Sequence, residues 1–268
     1  MKKGDTAMKF IDAHIHLSDP AYDGKIPQII EEARQTNVVA MVSNSMNLDT
    51  SRSSLRLAEE HPGLVYTALG IHPWNTSQLL PNELEQTIDF IQQKGANDKR
   101  VVAIGEVGLD PQYAKRKEQK ELQIKVFHEM LHLAEKLTLP VIVHSRWSAE
   151  KILNILVSYR LRAVLWHWFS GPTDLLPKII ERGDYVSEGP PTVFSDRIQE
   201  VVRLVPLERL LTETDGPVRY YGPFKDKLTT PAFIPEVVKA MGEIKGVKEN
   251  EVAEQIYRNF VNFTQIGL

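Results

Sequence analysis

The chain contains no cysteine, which excludes disulfide staples and thiolate metal sites, and leaves any metal to histidine and carboxylate. A chain without covalent bridges is expected inside the cell, here in the cytoplasm. It also lacks any run approaching 18 apolar residues, and the two lysines near its start precede no apolar stretch; neither a membrane span nor a secretory signal is expected. Excess positive charge is missing as well, since 32 lysines and arginines against 35 aspartates and glutamates leave a net charge of −3. That balance argues against a protein that coats nucleic acid by releasing many counterions, while leaving room for a local grip on a few phosphates. No shift in composition marks a linker, and no obligate protein partner is evident.

What the chain does have is regular alternation. Eight short runs rich in Val, Ile, Leu and Ala fall at residues 10–17, 38–45, 65–71, 101–106, 140–144, 163–167, 185–188 and 210–215. Between and after them lie segments with helical spacing at 26–35, 48–60, 82–93, 115–136, 149–159, 174–182, 196–205 and 234–245, and a last one near 249–261. An unbroken strand–helix series of this length predicts an α/β fold of the (β/α)8 TIM-barrel type with an extra C-terminal helix. Residues 1–7 read as a short disordered leader and 8–268 as the barrel. Ser148 and Thr173 are expected N-caps. The stretch 216–232, with Pro217, Gly222, Pro223 and Pro231, is long for a loop in a compact domain and should lie on the working face.

The polar residues gather at one end of these strands. Asp12, His14 and His16 alternate with Ala13 and Ile15, so they share a face; two imidazoles there can converge on one ion, with Asp12 backing one ring through its other nitrogen. An ordinary half-exposed strand explains that motif about as well. Position shifts the balance: Glu106, His144, His167 and Asp215 each stand at the C-terminal end of an apolar run, where groups in a barrel mouth are costly to desolvate without partners. One tetrahedral ion with an open position cannot use them all. The expectation is two divalent ions, His14, His16 and Asp215 holding one, His144 and His167 the other, and Glu106 bridging. Zn, Mn or Fe suit such mixed ligands, Mg less well.

Six pieces carry a resemblance: Asp12-Ala13-His14-Ile15-His16-Leu17, Gly70-Ile71-His72-Pro73, Gly105-Glu106-Val107-Gly108-Leu109-Asp110, Pro140-Val141-Ile142-Val143-His144-Ser145-Arg146, His167-Trp168-Phe169-Ser170-Gly171 and Glu213-Thr214-Asp215-Gly216-Pro217. In this order they resemble the TatD family of metal-dependent hydrolases, within the amidohydrolase-type barrels. The resemblance implies a (β/α)8 fold, a one- or two-metal centre on the six residues above, and phosphoester hydrolysis, in many relatives of DNA. Departures at Pro111-Gln112-Tyr113 and at Gly216 fall in loops that shape substrate, not in ligands.

The expected activity is divalent-metal-dependent cleavage of phosphodiester bonds, that of a TatD-like deoxyribonuclease working from a strand end. The alternative is an ester or amide hydrolase such as an aminoacyl-tRNA deacylase. Asp215 and Glu106 are the expected catalytic groups, Asp215 orienting or deprotonating water. Glu213 reads as support behind the ligands and Asp110 as a loop residue. His72 and Arg146 are placed to hold substrate phosphate, against the plainer readings of a loop histidine and a surface salt bridge. Lys115, Arg116, Lys117 and Lys120, with Arg219, Lys225 and Lys227, form either a basic rim or solvated surface. Trp74, Trp168, Tyr220 and Tyr221 are available for base stacking or for packing.

Overall fold

The computed structural model describes residues 7–267; the expected leader at 1–7 lies, but for Ala7, outside the described residues. Eight strands, β1 Phe10–Ile15, β2 Val38–Asn44, β3 Val65–Leu69, β4 Val101–Gly108, β5 Val141–His144, β6 Val164–Trp166, β7 Tyr185–Glu188 and β8 Leu210–Thr212, pair in chain order. Every pairing is parallel. Parallel strands need crossovers, and seven helices supply them, α1 Ile26–Gln35, α2 Leu48–Glu60, α3 Glu83–Asn97, α4 Lys117–Leu137, α5 Ala149–Leu156, α6 Leu176–Glu181 and α7 Asp196–Leu204, with α8 Ile234–Lys245 following the last strand. β4 is buried at every position, as expected of strands covered by helices outside and packed side chains within. The helices carry local signals for their ends. Asn47 and Thr50 cap α2 reciprocally, each side chain accepting from the other's backbone N–H at 2.9 Å, and Gly246 ends α8 at φ 66°.

Closure between β8 and β1 rests on a few specific bonds. The N–H of Asp215 donates to the His14 carbonyl and that of His16 to the Gly216 carbonyl, both at 2.8 Å. The Thr212 hydroxyl donates to the Ile11 carbonyl at 2.6 Å, and the buried Asp12 carboxylate accepts from the Thr214 N–H at 3.0 Å and hydroxyl at 2.5 Å. Asp12 is therefore a seam residue and backs no imidazole, contrary to the sequence expectation: its oxygens are taken by Thr214, just past β8, and by the His14 N–H. The last helix, α9 Glu249–Thr264, packs against the start of β8, where Asn259 donates to the carbonyls of Leu207 and Leu210 at 2.8 and 2.7 Å.

Strand ends differ from expectation where chemistry begins. β1 stops at Ile15 and β8 at Thr212, because His16 and the residues through Asp215 leave the ladder, Asp215 with φ 46°. Neither expected cap forms: the Ser148 hydroxyl donates instead to the Leu109 carbonyl at 2.6 Å, and Thr173 opens a 3-10 turn ahead of α6. No helix among the described residues is long and apolar enough to cross a membrane.

Candidate metal centre

Glu106 lies on β4 two residues before the strand ends, and its buried carboxylate is the hub of the barrel mouth. Its two oxygens face different partners. Oε2 is 3.1 Å from His14 Nε2 and 3.2 Å from His16 Nε2. Oε1 is 2.7 Å from His144 Nδ1 and 2.9 Å from His167 Nε2. Asp215 Oδ1 completes the first group at 3.4 Å from both His14 Nε2 and His16 Nε2. The structure thus brings together all six residues expected to bind metal, in two groups that share Glu106. Gly108 permits this spacing: it pairs with His144 across β4 and β5, and a Cβ there would overlap the His144 carbonyl.

The outer nitrogens of the imidazoles decide what the inner ones can do. His16 Nδ1 lies 3.0 Å from the Asn44 carbonyl, which only accepts, so Nδ1 carries a hydrogen and, in the neutral ring, Nε2 presents a lone pair. His144 Nε2 donates to Asp110 at 3.0 Å, leaving Nδ1 bare, and His167 Nδ1 faces Glu213 Oε1 at 3.3 Å, leaving Nε2 bare. These lone pairs point at the oxygens of Glu106, which are also acceptors. Acceptors facing each other at 2.7–3.2 Å repel unless a proton or a metal ion lies between them. The His14 Nδ1 atom is buried without a hydrogen-bond partner among the described residues. The donor set therefore fits divalent metal ions, whose binding needs neutral imidazole and ionised carboxylate.

Electrostatics agree. Burial opposes charge at each of these groups; against it, Asp215 and Glu106 lift His16 to about 10, and Asp110 and Glu106 raise His144. In turn the imidazoles outweigh burial and hold Glu106 and Asp215 below the usual carboxylate range. The cluster attracts positive charge.

His72 differs from its neighbours. The Trp74 N–H donates to its Nδ1 at 3.1 Å, so Nε2 carries the hydrogen and points it at Glu106 Oε1, 3.1 Å away. Although His72, Glu106 and His144 lie close enough to hold an ion, an N–H is no ligand, and we count His72 as a donor. Burial lowers it to about 4, so it is neutral. His14, His167 and Glu213 make another such group, but Glu213 stands behind the His167 ring and also accepts from the Ser187 hydroxyl. It orients the ring.

Asp110 is no mere loop residue. Fully buried, its Oδ2 accepts from His144 Nε2, from Trp74 Nε1 at 2.9 Å and from Arg146 Nε at 3.0 Å. A carboxylate among apolar neighbours right after Gly108-Leu109 was the available signal; the Asn44 carbonyl, a backbone group, left none. Arg146 is tied to Asp110 yet lines the mouth, a cavity of about 580 Å3 bordered also by His16, His72, Trp74, Glu106, His144, His167, Trp168 and Asp215. Pro217 and Val218 of the long loop line it too. Lys115, Arg116, Lys117, Arg219, Lys225 and Lys227 are exposed, and none of them lines this cavity. Tyr220 is buried with its hydroxyl on the Thr214 carbonyl at 2.8 Å, so it packs; Tyr221 is exposed.

Comparison with known proteins follows the same lines. The pattern of a family described as TatD related DNase matches residues 11–265. The human protein named Deoxyribonuclease TATDN3 is 34% identical over 257 residues, covering 93% of this chain and 92% of that protein. A protein of Erwinia tasmaniensis named 3'-5' ssDNA/RNA exonuclease TatD is 28% identical, covering 92% of this chain and 96% of its own. The crystal structure of YjjV, a TatD homolog from Escherichia coli K12, superposes with a TM-score of 0.87 at 26% identity, over 96% of this chain and 98% of that one. With the family's pattern running through every strand that contributes to the cluster, this chain belongs to the TatD related DNase family.

Proposed function

We propose that this chain hydrolyses phosphodiester bonds in nucleic acid, DNA foremost, from a strand end, with two divalent ions at the barrel mouth. The observation that carries the reading is the Glu106 carboxylate, each oxygen of which faces its own set of imidazole nitrogens. His14, His16 and Asp215 would hold one ion and His144 and His167 the other, with Glu106 shared between the two groups. Such ions supply Lewis-acid charge to a phosphoryl group and acidify water.

The chain's own residues do the rest. Asp215, which lines the cavity, is the acceptor for the proton of the attacking water. His72 offers a neutral Nε2–H to a non-bridging phosphate oxygen, and Arg146, held in place by Asp110, offers a planar guanidinium at the rim. Asp110 and Glu213 fix the rings of His144 and His167. A recessed mouth bordered by strand-end residues favours a strand terminus over the interior of a duplex. The names of the human and Erwinia relatives support nucleic acid as the substrate.

The test compares wild type with Asp215→Asn, after metal analysis of each, on end-labelled single- and double-stranded DNA, RNA and aminoacyl-tRNA. Metal-dependent shortening of DNA from an end, lost in Asp215→Asn, is expected. Cleavage unchanged by the substitution removes Asp215 from the chemistry, and release of amino acid from tRNA without DNA cleavage overturns the phosphodiester reading.

A further inference from the structure

The turn between β5 and α5 has two sides. Ser145 and Arg146 line the cavity over the metal cluster, while Trp147 and Ser148 line a second cleft of about 210 Å3, together with Leu109, Pro111, Lys120 and Lys151. Trp147 is 72% exposed and its backbone is left-handed, at φ 55°. An indole gains by burial, and a non-glycine residue resists that conformation. The turn nonetheless displays the ring outward. Lys120 on α4 and Lys151 on α5 are both exposed, and neither has a carboxylate partner among the described residues. Lys117, one turn earlier, is by contrast paired with Glu121 at 3.8 Å. The Arg146 guanidinium lies 5.2 Å from the Trp147 ring and 5.6 Å from the Trp74 ring. Arg146 and Trp147, in contact with each other, therefore join the cavity over the cluster to the cleft that holds Lys120 and Lys151.

We propose that this band is the track of a single-stranded polynucleotide leading into the metal site. The strand crosses Arg146, one base stacks on Trp147, and Lys120 and Lys151 hold backbone phosphates in the second cleft. A single strand fits and a duplex does not, because a paired base already has neighbours on both faces. The track deepens the phosphodiesterase reading and rests on it for the direction of the strand, but binding and cleavage can be read separately.

Binding is measured in the presence of a chelator, by fluorescence anisotropy of a labelled oligodeoxynucleotide of about eight nucleotides, a span within reach of one binding groove. Trp147→Ala is expected to weaken it about ten-fold, the contribution of one base stack. The Lys120→Ala/Lys151→Ala double variant is expected to flatten the slope of log affinity against log salt by about 1.4, two single-strand phosphate contacts. With metal restored, Trp147→Ala should raise KM for the oligonucleotide far more than it alters turnover of bis(4-nitrophenyl) phosphate. Equal affinity in wild type and Trp147→Ala, an unchanged salt slope in the double variant, or equal affinity for duplex overturns the track, whatever the nuclease assay shows. Trp147-dependent binding without cleavage of any diester keeps the track and overturns the phosphodiesterase reading instead.

Discussion

His72 and His144 bring their inner nitrogens within 3.3 Å of each other, yet the partners of their outer nitrogens are opposite in kind. An N–H behind His72 makes its inner nitrogen a donor; a carboxylate behind His144 makes its inner nitrogen a lone pair. His72→Ala is therefore expected to keep the metal content of wild type and lower kcat about 100-fold, the usual cost of one donor to developing charge. His144→Ala should lose metal. Elemental analysis beside kinetics separates the two, and loss of metal from His72→Ala would mean that the ring binds an ion after all. Asp110 gives a prediction in pH. Burial disfavours its charge, but hydrogen bonds from His144 and Trp74 outweigh burial and hold the carboxyl below the usual range. A depressed carboxylate stabilises the fold above its unfolded pKa of about 3.9, and that contribution is lost as pH falls through the folded value. The stability gap between wild type and Asp110→Asn should be full above pH of about 4 and shrink below it, read by urea unfolding across pH. A gap that widens on acidification contradicts this.

Among the elements, α9 has the clearest energetic role. Asn259 donates to two carbonyls at the foot of β8, those of Leu207 and Leu210. Asn259→Leu would remove both bonds, leaving the Leu207 carbonyl with only the Leu210 N–H, at a cost of about 1–3 kcal/mol, visible as a lower urea midpoint with unchanged slope; a loss under about 0.5 kcal/mol would show that the two bonds add nothing to stability. Most element positions were legible in the sequence, because the strand and helix periods differ so plainly: α1, α2 and α8 fall where apolar spacing puts them. What periodicity missed were the ends. Glu213, Thr214 and Asp215 look like strand residues, but each is held by something far off in sequence, and the ladder stops at Thr212. Ser148 looks like a cap, yet the Leu109 carbonyl on the neighbouring loop competes for its hydroxyl.

For the molecule as a whole, the buried Glu106 and Asp215 carboxylates make stability depend on counter-charge. Removing divalent ions with a chelator should lower the thermal midpoint by about 5–10 °C, the equivalent of an ion at a hundred times its Kd. Calorimetry with and without added Zn or Mn checks this, and an unchanged midpoint would leave the cluster without an ion to lose. The six clustered residues could be read from the sequence because a barrel converts strand order into proximity: one end of every strand faces one mouth. Of their supports, Glu213 could be read as well, while the Asn44 carbonyl and the role of Asp110 could not, since these act through distances that only the closed barrel sets.

The seam between β8 and β1 has a consequence in time. Asp215 is bonded through its N–H to the carbonyl of His14, so closing the barrel and completing the cluster are one event. During synthesis His14 and His16 emerge early and must wait for the eighth strand; a nascent or truncated chain that ends before it carries most of the ligands and none of the assembled mouth. The cluster is thereby assembled only once the eighth strand has joined the first.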